Sequence, residues 1–158
     1  MPGWNRICCP VDFSRASRFA METASELALR FGGDLTLLHV VEQLPRPVAS
    51  DTLASPPEIL ELTGFELERT LAEWRDEAAC IATRPVDYSL VHGDPATEIA
   101  RFAGEGWFDL VVMGTHGRTE LEHAILGSVA EKVVREAPCP VLVVRPRLSR
   151  AADRLAAP

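Results

Sequence analysis

Several features that mark common protein classes are missing from these 158 residues. No apolar run reaches the ~18 residues that a membrane-spanning helix needs, and the N-terminus has no apolar signal-peptide core. The formal charge of −7 disfavours polyanionic partners such as nucleic acid and anionic membranes. The sequence therefore predicts a cytoplasmic protein with neither a nucleic-acid nor a membrane partner.

Cysteine is scarce, and its spacing fits no metal or redox motif. The four cysteines, Cys8, Cys9, Cys80 and Cys139, form no CxxC pair. We expect buried, reduced thiols rather than disulfides or a zinc site. Because successive side chains of a strand alternate, Cys8 and Cys9 are predicted to point to opposite faces of a sheet.

The two commonest phosphate-binding loops are also absent. The chain contains no Walker sequence, which requires Gly-Lys-Ser/Thr after a glycine and four residues, and no Gly-x-Gly-x-x-Gly fingerprint. Its single lysine, Lys132, falls within a predicted helix rather than in a loop. A dedicated phosphoryl-transfer site usually has a phosphate-binding lysine and metal-binding carboxylates, so the sequence favours nucleotide binding over efficient catalysis.

What is present is a different glycine pattern, within residues 108–145. An apolar strand leads into Gly114-Thr115-His116-Gly117, nine residues follow, and Gly127-Ser128 then opens a helical segment predicted over 129–136. Glycines permit close backbone approach, and the N–H groups of a helix N-terminus attract anions. This order predicts a phosphate-binding site.

Strand and helix patterns alternate along the chain. Buried-type apolar runs predict strands at residues 6–11, 35–41, 86–92, 108–113 and 141–144, with the third at a sheet edge. Helices are expected from the Ser14 N-cap to Gly32, over 58–83, from the Asp94 N-cap to Gly104 or Gly106, and over 129–136. The proline-rich loop 42–57 is predicted to be a flap. An α/β domain over 1–146 and a flexible tail over 147–158 are expected, with helices on both faces of a parallel sheet.

The pattern Gly-x2-Gly-x9-Gly-Ser resembles the nucleotide-binding signature of the universal stress protein family. The resemblance extends to Pro10-Val11-Asp12-Phe13-Ser14, Leu37-Leu38-His39-Val40-Val41, Gly93-Asp94-Pro95-Ala96 and Val141-Leu142-Val143-Val144, and so covers nearly the whole domain. It implies a Rossmann-like five-stranded parallel sheet of order 3-2-1-4-5. Because the glycine pattern is intact, the chain resembles the ATP-binding subclass.

In that strand order the winding reverses between strands one and four, where ligands bind at the carboxyl ends of the strands. Asp12 is placed there to accept hydrogen bonds from ribose, while Gly114, Gly117, Gly127 and Ser128 offer N–H groups to phosphates. Val11, Val40 and Met113 supply apolar walls for adenine. The ATP-contacting positions that the resemblance implies are Pro10, Val11, Asp12, Val40, Met113, Gly114, Gly117, Arg118, Gly127, Ser128 and Val129.

Several of these residues also have purely structural interpretations. Ser128 and Glu131 form a capping box, so we expect Ser128 to cap its helix when the site is empty and to donate to phosphate when it is full. Asp12 fits an ordinary turn, and Arg118 fits a solvated loop residue as well as a phosphate ligand. His116 lacks an identifiable partner for base catalysis, and no catalytic residue is assigned. His39 is expected to be a half-buried residue with a satisfied hydrogen bond.

These observations predict an ATP-binding regulatory stress-response protein; the alternative is a slow ATPase or nucleotidyl-transfer enzyme of related fold. Mg²⁺ or Mn²⁺ is expected to arrive with ATP or ADP, since the net charge is negative and Arg118 is the only cation in the glycine loop. The last strand is apolar and lies at the edge of the implied sheet. Its self-pairing over 141–145 predicts a homodimer, unless the tail beyond Arg147 covers that edge.

Overall fold

Strands and helices alternate in the computed structural model, which describes residues 3–42, 64–115 and 126–146. Several predictions fall on residues outside these ranges. They are the predictions for the flap (apart from residue 42), the first turns of the second helix, His116, Gly117, Arg118 and the 147–158 tail. The elements are β1 (Arg6–Pro10), α1 (Arg15–Phe31), β2 (Asp34–Val41), α2 (Gly64–Ala82), β3 (Asp87–His92), α3 (Pro95–Glu105), β4 (Leu110–Gly114), α4 (Ser128–Glu136) and β5 (Val141–Val144).

The five strands form one sheet of order β3-β2-β1-β4-β5, and every neighbouring pair is parallel. Both the predicted strand order and the edge position of β3 are confirmed. The boundaries differ from the predicted ones by at most two residues in each strand. No helix within the described ranges is long and apolar enough to cross a membrane.

The sheet is covered on both faces, as the alternating pattern predicted. On one face Cys9 packs in a cluster with Met21 of α1 and Leu71 of α2. On the other face Cys8 packs with Ile99 of α3 and Val133 of α4. Burial raises the pKa of both thiols above the ordinary cysteine value, which keeps them protonated and unreactive.

Local sequence signals set several helix ends. The Ser14 hydroxyl accepts a 3.2 Å hydrogen bond from the Ser17 N–H at the start of α1, and Gly32 ends that helix with a left-handed φ of 70°. Asp94 caps α3 by accepting from the Thr97 N–H at 3.0 Å. Gly106 is the C-cap of α3, so these predicted boundaries are confirmed.

The predicted capping box at Ser128 is wrong. The N-cap of α4 is Gly127, with φ −72° and ψ 157°, and it makes no side-chain capping bond. Ser128 is therefore already the first helical residue, and a capping side chain must come from the residue before it. Glu131 contacts Arg135 one turn later, at 2.6 Å, and is not part of a capping box.

The expectation that all four thiols are buried is also wrong in part. Cys8 and Cys9 are buried, whereas Cys80 is exposed and Cys139 is half-buried. The reason for Cys80 is the helical period: the buried stripe of α2 places Ala78 and Ala82 inward, so the residue midway between them faces outward. On the same helix Ile81 is half-buried and Gly64 is exposed.

Candidate functional site

The winding of the sheet reverses between β1 and β4, and the space beyond the carboxyl ends of these two strands is called the crevice. These two strands pair only at Ile7 with Leu110 and Cys8 with Val111. On its other side β1 stays paired with β2 as far as Pro10, and β4 stays paired with β5 as far as Gly114. The carboxyl ends of β1 and β4 therefore diverge at the switch point, where doubly wound folds place their ligands.

Asp12 lies at the β1 side of this crevice and is held by the first turn of α1. Its Oδ1 accepts a 3.0 Å hydrogen bond from the Ser14 N–H, and its own N–H donates to Ser17 Oγ at 3.3 Å. The bond to Ser14 is the turn role considered from the sequence. Asp12 therefore has a structural role in this loop, and its carboxylate is fixed at the mouth of the crevice.

The residues on either side of Asp12, Val11 and Phe13, are held by His39 and Trp74. His39 is 5% exposed, and its Nδ1 lies 2.7 Å from the Val11 carbonyl oxygen. A carbonyl only accepts, so Nδ1 carries the proton. Phe13 has an unusual φ of 64°; its ring packs on His39 at 4.6 Å between centroids and on the edge of Trp74 at 5.3 Å. His39 is satisfied as predicted, but more deeply buried.

Gly114, at the end of β4, is required by packing. A Cβ at this position would lie 2.9 Å from the carbonyl carbon of Ala16 and 3.0 Å from its oxygen. The first turn of α1 consequently lies directly against the end of β4. This contact brings the loop that holds Asp12 next to the glycine pattern, which sequence spacing alone had not revealed.

On the β4 side, the chain enters α4 through a fixed turn. The Thr115 N–H donates to the Val144 carbonyl at 3.2 Å, and the Gly127 N–H donates to the Thr115 carbonyl at 2.7 Å. The Gly127 N–H is thus already engaged. The next N–H groups, at Ser128 and Val129, begin α4 and have no acceptor within the helix. Ser128 is exposed, and its hydroxyl has no hydrogen-bond partner among the residues that the structure describes.

The proposed apolar walls do not share one face of the sheet. Met113 is buried and Val40 is half-buried against the cluster beneath α3 and α4. Val11 is buried in the opposite cluster, beneath α1 and α2, and Pro10 is buried at the end of β1. Val40 and Met113 are therefore brought together, whereas Val11 faces the other layer.

Lys132 makes a contact that sequence reasoning missed. Its Nζ donates to Asp94 Oδ2 at 2.9 Å and to Thr97 Oγ1 at 3.1 Å, so α4 is tied to the N-terminus of α3. Hydrogen bonds from Thr97 and from Lys132 lower the pKa of Asp94 to about 2. No local signal pointed to this pair, because its members are 38 residues apart. Within residues 3–42, 64–115 and 126–146, no group of three or more His, Cys, Asp or Glu is arranged to hold a metal ion.

The sequence and the fold of this chain are similar to those of known proteins. A sequence model of the universal stress protein family matches residues 3–145. The universal stress protein MJ0531 of Methanocaldococcus jannaschii is 34% identical over 144 residues, covering 90% of this chain and 82% of the relative. The solved universal stress protein UspA from Lactobacillus plantarum is 28% identical, with a TM-score of 0.75 over 92% of this chain and all of that one.

A further solved universal stress protein was determined in complex with cAMP. It is 21% identical, with a TM-score of 0.68, and the match covers 92% of this chain and 99% of that one. At this identity the likeness establishes the fold alone.

Proposed function

This chain belongs to the universal stress protein family, and on that premise we propose that it binds ATP or ADP as a regulatory stress-response protein. The observation that carries the proposal is the crevice between the diverging ends of β1 and β4. Asp12 lies on one side of it, and Gly114 and the start of α4 lie on the other. A carboxylate suited to ribose hydroxyls and a helix N-terminus suited to phosphate thus follow the two strands that border the switch point.

Each part of the nucleotide has proposed contacts. Asp12 accepts from the ribose hydroxyls, while Pro10, Val40 and Met113 form apolar surroundings for the base. Val11, whose side chain faces the other layer, remains a proposed contact at the end of β1. The N–H groups of Ser128 and Val129, together with the Ser128 hydroxyl, donate to the phosphates. Gly117 and Arg118 remain proposed phosphate contacts outside the described residues. Gly114 and Gly127 contribute mainly by setting the backbone geometry of the site. Gly114 packs on Ala16, and the Gly127 N–H already donates to Thr115.

The regulatory interpretation is supported by the position of the single lysine. Lys132 is bonded to Asp94 and Thr97 on the neighbouring helix, which engages the charge that a phosphoryl-transfer site would use. Divalent metal is proposed to accompany the nucleotide, because the phosphates add negative charge to a chain of net charge −7. Two copies are proposed to pair through residues 141–145.

Calorimetric titration with ATP and with adenosine tests the two halves of the site separately. Gly127→Val places a bulky side chain at the start of α4. It is expected to weaken the binding of ATP about tenfold or more, and to leave the affinity for adenosine nearly unchanged. Asp12→Ala is expected to weaken both ligands, because the ribose is common to them. Gly114 is unsuitable for this test, since a side chain there strikes Ala16.

Matched controls are available in α2. A Cβ at Gly64 meets no atom within 4 Å, and Asp76 is exposed, so Gly64→Val and Asp76→Ala change the same residue types away from the crevice. Both controls are expected to bind like the unmodified protein. Unmodified protein that binds no adenine nucleotide would refute the proposed function, and unchanged affinities in both site variants would refute the residue assignment.

A further inference from the structure

The loop that carries Asp12 has a backbone conformation that its sequence does not favour. Phe13 adopts φ 64°, in the left-handed region that side chains with a Cβ rarely occupy. Such a conformation persists only where the surrounding structure fixes it, and strained residues of this kind concentrate at ligand sites. Residues that fix this loop therefore determine where the Asp12 carboxylate points.

One side chain contacts the loop on both sides of Asp12. Through Nδ1, His39 donates to the Val11 carbonyl at 2.7 Å, and its ring packs against Phe13 with 4.6 Å between centroids. His39 is buried and belongs to β2, whose backbone is paired with strands on both sides. His39 thus anchors the loop to β2, a rigid element of the sheet.

Further bonds to the loop come from β2 and from the start of α1. Val11 donates its N–H to the Leu38 carbonyl at 2.8 Å, and Asp12 is bonded to Ser14 and Ser17. The peptide unit between Val11 and Asp12 is thus held from two sides, with His39 Nδ1 on its carbonyl and Ser17 Oγ on its N–H. The planar peptide unit that contains this carbonyl ends at the Asp12 Cα, so its orientation sets the position from which the Asp12 side chain extends.

We propose that His39 is a positioning residue for nucleotide recognition: by holding the Val11 carbonyl, it orients Asp12 toward the ribose diol without contacting the ligand. This inference rests on the proposed nucleotide function and adds a specific determinant of ribose selectivity. Preorganised acceptors are the ones that discriminate, because they do not have to be ordered when the ligand binds.

Two substitutions separate the hydrogen bond from the ring. His39→Phe keeps an aromatic ring against Phe13 and removes the donor. His39→Asn loses the ring but places an amide N–H close to the position of Nδ1. His92→Phe is the matched control, because His92 is exposed on the edge strand β3.

The readout is the ratio of dissociation constants for 2′,3′-dideoxy-ATP and ATP, measured on each preparation by calorimetry. The two ligands share base and phosphates, so the ratio reports the ribose hydroxyls and is insensitive to the folded fraction. Unmodified protein and His92→Phe are expected to prefer ATP about tenfold. His39→Phe is expected to reduce the ratio to about threefold or less, and His39→Asn to stay within about twofold of the unmodified protein.

The outcomes distinguish this inference from the proposed function. A protein that binds neither ligand overturns both. A protein that prefers ATP, but whose preference survives in His39→Phe, retains the proposed function and overturns the role of His39. An equal loss of affinity for both ligands in His39→Phe and His39→Asn identifies a merely structural histidine and also overturns the positioning role of His39. Loss of the preference in His39→Phe with recovery in His39→Asn supports it.

Discussion

Ser128 shows how a shift of one residue changes the chemistry of a side chain. In a capping box its hydroxyl would be spent on its own helix, but Gly127 occupies the N-cap position and leaves Ser128 at the first helical residue. Glycine is itself an acceptable N-cap, so the Gly-Ser pair is ambiguous in sequence. Because its hydroxyl makes no capping bond, Ser128 is the residue that we propose to donate to phosphate.

This assignment predicts a contrast between two serines. Ser14→Ala removes the capping bond of α1 and is expected to lower the free energy of unfolding by about 1 kcal/mol. Ser128→Ala removes no cap and is expected to change it by less than about 0.5 kcal/mol, while weakening ATP about three- to tenfold. Denaturant unfolding and calorimetry measure the two quantities. A Ser128→Ala protein that loses stability but not affinity would restore the capping interpretation.

At the scale of elements, α3 and α4 are joined at one end by Asp94 and Lys132. The pair is largely solvent-exposed, with side chains 58% and 41% accessible, so solvent screening limits its contribution to stability. Its value is as a pH marker. Asp94 has its pKa lowered from 3.8 to about 2 in the fold, so its contribution is fully present above pH 3.8 and is lost as the pH falls through about 2.

Asp94→Asn tests this linkage, because asparagine also caps helices but does not titrate. We expect the variant to unfold with nearly the same midpoint at neutral pH. Between pH 4 and 2 its stability is expected to fall less steeply than that of the unmodified protein. Thermal unfolding across this pH range measures the difference, and parallel curves for the two proteins would contradict the assignment.

The strand β5 presents a second element-scale question, since within the described residues it pairs only with β4. The carbonyls of Pro140 and Val144 accept hydrogen bonds from the N–H of Val111 in β4 and from the N–H of Thr115 just after it. Because strand backbone groups alternate in direction, the N–H groups of Val141 and Val143 point to the outer edge. This is the geometry that the proposed pairing of two β5 strands requires.

Val143→Pro is therefore expected to abolish the dimer while sparing the ladder between β4 and β5. It removes only an N–H that faces outward, and proline is tolerated on an edge strand. Light scattering at tens of micromolar measures the mass, and circular dichroism checks the fold. Val134→Lys, on the exposed face of α4, is a control that should remain dimeric. An unmodified protein that is monomeric, with or without ATP, would contradict the proposed assembly.

At the scale of the whole molecule, the net charge bears on the proposed nucleotide binding. A chain of net charge −7 is expected to bind ATP more weakly in excess chelator than in millimolar Mg²⁺, because the metal offsets the phosphates. Calorimetry in the two buffers measures this, and equal affinities would contradict it. Turnover is expected to be slow: a rate near the ~1–100 s⁻¹ of kinases would favour the enzymatic alternative.

The family resemblance predicted the strand order. The residue patterns themselves predicted the alternation of strands and helices and most of the helix ends. It failed where a single residue or a distant partner decided the outcome. Cys80 was predicted to be buried but is exposed, because it lies outside the buried stripe of α2. The Asp94–Lys132 bridge was missed because its residues meet only after α3 and α4 pack together.

What the sequence determined by itself is local: buried strands from apolar runs, helix starts at Ser14 and Asp94, and a glycine pattern that interrupts the chain after β4. These features follow from backbone sterics and side-chain hydrogen bonds within a few residues. Only the tertiary structure decided that Gly114 must accommodate Ala16, that Gly127 donates to Thr115, and that His39 holds the loop of Asp12. Those contacts join residues far apart in the chain, and they exist only once the strands have paired and the helices have packed on the sheet.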